Sequence, residues 1–441
     1  MEFSGKGNTG WFTHDRFGMF IHWGLYALGA RQEWVKSLEK MTDEEYQPYF
    51  DHFNPKLFAP KEWARAAGEA GMKYFVITAK HHDGFCMWDS RYTDYKITNT
   101  AFGRDAIREI VDAFRAEGLH VGLYYSLIDW HHPEFPIDSF HPRRDWEDRV
   151  ERNRSRDMKK YAQYMRDQIT ELLTGYGKID IMWFDFSYPT EGHTPEPDGR
   201  PWIGKGRNEW ESEKLVKLVR SLQPGILIDN RMDLPEAADI TTPEQHTPDE
   251  CPCDAAGNPL VWESCHTFSG SWGYARDEYS WKTGRQCIEL LINHVSRGGN
   301  LLMNVGPTAQ GYLDIRARER LAAFAEWMKF NSDSIYGCGQ APAEFPEPKN
   351  ARYTYNPETN RLYLHLFSWP NKHIHLADLA GKVRYAQMLA DGSEIHVRRP
   401  PSQEEAAMHS LTPAGAVTLE IPVQPPLEGT EIPVIELILK E

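Results

Sequence analysis

Side chains able to do acid–base and hydrogen-bonding chemistry recur where the apolar runs of this sequence end. Asp185 closes the run Lys178-Ile-Asp-Ile-Met-Trp-Phe-Asp185, and His22 sits near the end of Phe17-Gly-Met-Phe-Ile-His-Trp23. His81 and His82 follow Lys73-Tyr-Phe-Val-Ile-Thr-Ala79, Tyr124 and Tyr125 lie in His120-Val-Gly-Leu-Tyr-Tyr-Ser126, and Arg231 stands just past Asp229. Glu33-Trp34 and Glu244 add to the set from loops. Together these are mostly neutral donors and acceptors with aromatic faces, which suits a neutral polyhydroxylated ligand better than a phosphate. No Gly-rich loop followed by Lys and Ser or Thr is present.

The carboxylates suggest a division of labour. A lone Asp after a strand is ordinarily a helix cap or a salt-bridge partner, but a carboxylate beside Trp183 and Phe184 is costly to bury without a task. Two carboxylates on separate loops could serve as the pair of a glycosidase, one at the anomeric carbon and one at the leaving oxygen. Asp185, at the end of a rigid strand, suits the nucleophile. The acid must cycle between protonated and ionised forms, which suits a loop Glu near apolar groups, and Glu244 and Glu263 both qualify. The histidines raise the question of a metal. Ligands on one strand favour alternate positions, whereas His81 and His82 are adjacent and would enter one pocket only where the strand breaks at Asp83-Gly84. Hydrogen bonding to hydroxyls is the better reading, so no metal and no cofactor is expected.

The elements that must carry these groups alternate. Strand signals at residues 17–23, 73–79, 120–126, 179–184, 226–229, 261–263 and 301–305 are separated by helix signals at 60–70, 105–117, 156–174, 209–222, 285–296 and 315–330. Repeated strand–helix units predict a parallel sheet, and reactive groups at many different strand ends favour a ring over one crevice. The expected fold is an α/β, TIM-like (β/α) barrel over residues 1–340, although seven strands are legible rather than eight. After the Pro-rich stretch Ala341-Pro-Ala-Glu-Phe-Pro-Glu-Pro348, short alternating runs at 361–367, 373–376, 416–421 and 434–439 predict a small antiparallel β-sandwich over 341–441.

Composition narrows the classes further. A chain of 441 residues is too long for one ordinary core, and 41% hydrophobic with 26% charged residues is a soluble balance. A net charge of −15 argues against nucleic acid or an anionic membrane surface as partner. The six cysteines are scattered, and Cys251-Pro-Cys253 lacks zinc-knuckle spacing, so free thiols in a reducing compartment are expected. Met1-Glu-Phe-Ser-Gly-Lys6 has no apolar signal core and no run approaches a membrane span, which predicts a cytoplasmic protein.

Several blocks, read together and in order, resemble a known family. Phe20-Ile-His-Trp-Gly24, Glu33-Trp34, Lys80-His-His-Asp-Gly-Phe85, Gly122-Leu-Tyr-Tyr-Ser126, Trp183-Phe-Asp185 and Gly298-Gly-Asn-Leu-Leu-Met-Asn-Val-Gly-Pro307 look like the α-L-fucosidases of glycoside hydrolase family 29. The resemblance runs from residue 11 to residue 336. It implies a (β/α)-type barrel followed by a β-sandwich, and an exo-acting retaining hydrolase that releases terminal L-fucose from fucosylated glycans. By motif it implies Asp185 as nucleophile and Glu244, in Asp239-Ile-Thr-Thr-Pro-Glu244, as acid/base, with Glu263 the alternative. It also implies a sugar pocket lined by His22, Glu33, Trp34, His81, His82, Tyr124, Trp183 and Arg231, with Trp272 beside the sugar's methyl group. The chain departs from the commoner pattern at Phe186, where a Gly often stands. This leaves another α-L-sugar, such as L-galactose or L-glucose, as an alternative substrate. A carbohydrate-binding protein without catalysis is a third reading, disfavoured because both carboxylates are present.

Overall fold

The structure, a computed structural model, describes residues 6–190, 202, 204–398, 415–426 and 431–440; residues 1–5, part of the stretch read for a signal core, lie outside them. Seven parallel strands form one sheet: β1 (Phe17–Ile21), β2 (Tyr74–Lys80), β3 (His120–Ser126), β4 (Ile181–Asp185), β5 (Leu227–Ile228), β6 (Glu263–Thr267) and β7 (Asn300–Val305). Their order is β5-β4-β3-β2-β1-β7-β6. The edge strands β5 and β6 are not paired with each other. Residues 240–244 run between them, through parallel bridges Asp229–Ile240, Thr241–Trp262 and Glu244–Cys265. Backbone bonds accompany the bridges: Thr241 N–H donates to Val261 C=O and Gln245 N–H to Cys265 C=O, at 2.9 and 3.0 Å.

Alternation of side chains across the strands separates two apolar layers. Phe75, Ile77, Met182 and Phe184 face the helices and join the large cluster there. Tyr74, Val76, Ile181 and Trp183 face the other way and pack with Phe12, Phe20, Tyr124 and Leu302 on the inner side of the curled sheet. The helices cover the outer layer with their apolar stripes. Helix Ala106–Ala116, capped by the Asp105 side chain, buries Ile107, Ile110, Val111 and Phe114. Helix Gly284–Val295 opens on a Thr283–Gln286 capping box.

Two expectations need correction. The helix expected at 209–222 is two, Arg207–Trp210 and Ser212–Leu222, because Glu211 takes a left-handed conformation at φ +50°. The break lets Trp210 turn inward, fully buried, with its Nε1–H donating to Ser187 Oγ at 3.0 Å. The strand expected at 261–263 begins only at Glu263 and runs on through Ser264-Cys-His-Thr267. That polar run is buried because its groups find partners, as where Ser264 Oγ donates to His246 C=O at 2.7 Å.

The remaining strands are antiparallel: β8 (Ala351–Asn356), β9 (Arg361–Leu366), β10 (His373–Leu376), β11 (Val383–Met388), β12 (His396–Arg398), β13 (Val417–Glu420) and β14 (Val434–Leu439). They form a four-stranded sheet, β11-β14-β9-β8, and a three-stranded one, β10-β13-β12. Leu364, Leu376, Leu419 and Leu437 share their apolar layer. This part docks on helix Ile315–Asn331, where Trp327 Nε1–H donates to Ile432 C=O at 2.9 Å. All six cysteines are free. Among the described residues no helix is long and apolar enough to cross a membrane.

Candidate active site

The carboxyl ends of the parallel strands open on a cavity of about 520 Å³. Eleven of the residues singled out for the site line it, Tyr125 facing the helices instead with its O–H donating to Gln168 Oε1 at 2.8 Å: His22, Glu33, Trp34, His81, His82, Tyr124, Trp183, Asp185, Arg231, Glu244 and Trp272. Glu263 does not.

Each group arrives by a local device. β2 ends at Lys80, and the chain turns so that both His81 and His82 enter the cavity. The turn closes tightly against Asp129: Gly84 has φ +80°, and a Cβ there would lie 2.2 Å from Asp129 Oδ1. Buried Lys80 pairs with Asp129 Oδ2 at 3.0 Å, tying the turn to the segment after β3. Trp183 and Asp185 are two residues apart on β4, so both face inward, in register with Tyr124 and Ser126 of β3. Gly306 allows residues 272–274 to pass close by, since a Cβ on it would meet Trp272 O at 2.8 Å. Glu33 holds the same segment by accepting from Gly273 N–H at 2.8 Å.

Asp185 is buried and fully engaged. Tyr124 O–H donates to Oδ2 at 2.7 Å, and Arg231 Nη1 donates to Oδ1 at 3.0 Å. Burial raises its pKa above the usual carboxylate value, Arg231 pulls it back, and nearby Glu244 pushes it up again. The same Arg231 Nη1 donates to Glu244 Oε2 at 2.7 Å. Burial works against the Arg231 charge, but Asp185 and Glu244 outweigh it and keep the guanidinium protonated. The guanidinium also lies over the Trp183 ring, 4.6 Å from its centroid. Glu244 is the open member of the pair, with its side chain 42% exposed against 12% for Asp185. Nearby Asp229 accepts from Phe184 N–H at 3.2 Å, and burial lifts its carboxyl far above the ordinary range.

The histidines are neutral, and two have a defined tautomer. Burial depresses the pKa of His22 to about 3 and those of His81 and His82 well below the ordinary value. Asn304 Nδ2 donates to Trp272 C=O at 2.7 Å, which turns its Oδ1 toward His22 Nδ1, also at 2.7 Å. A carbonyl only accepts, so His22 carries its proton on Nδ1 and has a bare Nε2. Ser126 Oγ donates to Ile128 C=O and so accepts from His82 Nδ1–H, each at 2.7 Å. His82 Nε2 is then also bare, 3.8 Å from Asp185 Oδ2. Both imidazoles are set to accept hydrogen bonds from ligand hydroxyls.

Glu263 is fully buried behind the cavity wall, accepting from Tyr74 O–H at 2.5 Å and from Trp183 Nε1–H at 3.3 Å. Burial lifts its pKa to about 7, against the Tyr74 bond. Proton affinity alone would favour it as an acid, but both its oxygens are spent on the wall. Asn304, Ser126, Phe140 and Tyr188 are functional neighbours that pattern reading missed. Asn304 sits inside the Gly298–Pro307 block, where it could have been noticed. Phe140 lies in an irregular stretch after β3 that carries no periodic signal.

The α-L-fucosidase family profile matches residues 4–333, three quarters of the chain. The chain belongs to the α-L-fucosidase family. Human plasma α-L-fucosidase is 30% identical over 397 residues, 82% of this chain and 76% of that protein. Among solved structures, α-L-fucosidase isoenzyme 1 from Paenibacillus thiaminolyticus is 44% identical with a TM-score of 0.89, covering 98% of this chain and 99% of that one. A family 29 α-L-fucosidase from Bacteroides thetaiotaomicron, trapped as a covalent intermediate with 2-fluoro-fucosyl fluoride, is 27% identical with a TM-score of 0.81, covering 100% and 98%. As a member of this α-L-fucosidase family the chain is a glycoside hydrolase, and the trapped intermediate of its relative agrees with retaining chemistry.

Proposed function

We propose that this α-L-fucosidase family member is an exo-acting retaining α-L-fucosidase with Asp185 as nucleophile and Glu244 as acid/base. The observation that carries the reading is the shared Arg231 nitrogen. With bonds of 3.0 and 2.7 Å to one atom, Asp185 Oδ1 and Glu244 Oε2 lie no more than 5.7 Å apart. Retaining pairs stand about 5–5.5 Å apart and inverting pairs about 6.5–9.5 Å. In the first step an Asp185 oxygen bonds to C1, the bond from C1 to the leaving oxygen breaks, and Glu244 gives its proton to that oxygen. In the second, Glu244 takes a proton from water, the water oxygen bonds to C1, and the bond to Asp185 breaks. Carboxylates and water complete this cycle, and no cofactor is called for.

The bare Nε2 atoms of His22 and His82 suit sugar hydroxyls as donors. Trp272 and Phe20, with ring centroids 5.9 Å apart, suit the methyl of a 6-deoxy sugar. L-Galactose has a hydroxyl at that carbon, which would need a polar partner. The test is proton NMR of the first product released from a fucosylated oligosaccharide. Free L-fucose appearing first as its α anomer is expected; a β anomer first, or a different sugar, would overturn the reading.

The frame is inferred with it. Residues 240–244 act as the irregular eighth member of a (β/α) barrel, supported by their bridges to both edge strands. Residues 341–441 form a separate β-sandwich domain that braces the barrel, supported by the absence of any cavity-lining residue beyond Trp272 among the described residues. The acidic balance points to a neutral glycan partner, not nucleic acid, and the free thiols to a cytoplasmic location.

A further inference from the structure

The cavity has more room than one sugar ring needs, and its walls differ in character. The buried groups His22, His81 and Tyr124 are polar or tied to polar partners. From Asp185 onward the chain runs along the cavity as Phe186-Ser-Tyr-Pro189, and all of these residues line it. Phe140 lines it as well, and both Phe140 and Phe186 are only partly buried.

Phe186 is held in a conformation that an aromatic residue resists. Its φ is +82°, in the left-handed region where glycine is at ease and a Cβ is strained. Its ring packs among four others, with centroids at 5.2 Å from Trp34, 4.9 Å from His82, 4.9 Å from Phe140 and 5.3 Å from Tyr188. The Tyr188 hydroxyl is anchored in turn on buried Asp138. The packing therefore holds the ring on its strained backbone between the edge of the core and the cavity.

We propose that Phe186, Phe140 and Tyr188 form a leaving-group site, a rigid aromatic wall for a neutral group that presents a flat apolar face. This rests on the fucosidase reading, because it is Asp185 that marks where the sugar's C1 must lie. A group leaving C1 departs on the face opposite Asp185, toward the exposed carboxylate Glu244, in the same cavity that the half-buried rings of Phe140 and Phe186 line. An aryl ring, or the C–H face of a pyranose, stacks on such a wall. Asp233 on the same cavity lining selects against anionic leaving groups.

The test compares wild type, Phe186→Gly and Phe140→Ala on three substrates: α-L-fucosyl fluoride, 4-nitrophenyl α-L-fucoside and a neutral fucosyl disaccharide. Glycine suits the backbone at position 186, and the Phe140 variant gives a second, independent removal of the wall. Fluoride is too small to reach the wall, and kcat/KM reports events up to departure of the leaving group. The ratio of kcat/KM for the aryl glycoside to that for the fluoride should fall about five- to tenfold in each variant. A parallel fall for the disaccharide identifies a pyranose as a natural occupant, and a fall for the aryl substrate alone identifies an aromatic one. An unmoved ratio, or equal losses on fluoride and aryl glycoside, overturns the proposal. Failure of wild type to hydrolyse the fluoride or the aryl fucoside would instead overturn the fucosidase reading itself.

Discussion

Asp185 and Glu244 accept hydrogen bonds from a single nitrogen of Arg231. One cation thus sets the spacing of the two carboxylates and favours the ionised form of Asp185 against the effect of burial. The arrangement leaves Asp185 buried at the strand end and Glu244 more exposed.

Replacing Asp185, the proposed nucleophile, should remove turnover and leave a gap that a small anion can fill. Asp185→Gly is expected to lose about four orders of magnitude in kcat on an aryl α-L-fucoside. Azide should restore part of it and give the β-L-fucosyl azide, identified by NMR. Unchanged turnover, or an α product, would remove Asp185 from the nucleophile's role.

The effect of losing Glu244, the proposed acid, should depend on the leaving group. Glu244→Ala is expected to cut kcat/KM by about 10²–10⁴-fold for alkyl or sugar leaving groups, and far less for a dinitrophenyl group that departs unprotonated. Azide should then give the α-L-fucosyl azide. The same pattern in Glu263→Ala would move the acid role to the buried residue.

Arg231 should show in the pH profile. As the proposed nucleophile Asp185 would attack only when ionised; burial raises its pKa and Arg231 lowers it. Removing the guanidinium therefore raises that pKa further, and the acidic limb of kcat/KM should move to higher pH in Arg231→Gln, less so in Arg231→Lys. A limb that stays in place would show that another group governs it.

Asn304 should act through binding more than chemistry. It fixes the His22 tautomer and holds the Trp272 carbonyl, but it does not line the cavity. Asn304→Ala is expected to raise KM for an aryl α-L-fucoside about tenfold, through a lost buried bond of about 1–2 kcal/mol, with a smaller fall in kcat. A fall in kcat at constant KM would count against the positioning role.

Glu263 should appear in stability, not in the rate profile. Its pKa rises from 4.5 to about 7 in the folded chain, so the folded state holds a proton that the unfolded state has released between those values. The stabilisation is complete below pH 4.5 and is lost as pH rises through 7, by about 3 kcal/mol at most. Glu263→Gln should flatten the dependence of Tm on pH over that window. An unaltered slope would show that the carboxyl is already ionised when folded.

Much of this molecule is legible without coordinates, for a local reason. Each of β1 to β4 is a buried apolar run ended by polar groups, and alternation along a strand already places Trp183 and Asp185 on one face. The identities of eleven of the lining residues therefore follow from strand ends and motif order. The choice between Glu244 and Glu263 does not, because it turns on distances across the sheet. Glu244 stands 59 positions after Asp185, on a segment whose place is set by backbone bridges that leave no apolar rhythm in Thr241-Thr-Pro-Glu244. Glu263 opens a strand whose polar residues look like a loop until their partners are packed around them. The left-handed backbone of Phe186 is likewise invisible in a residue type that avoids it, since only the surrounding rings make that conformation tolerable. Residue pattern decides which side chains stand at the ends of strands; packing across the sheet decides which of them meet.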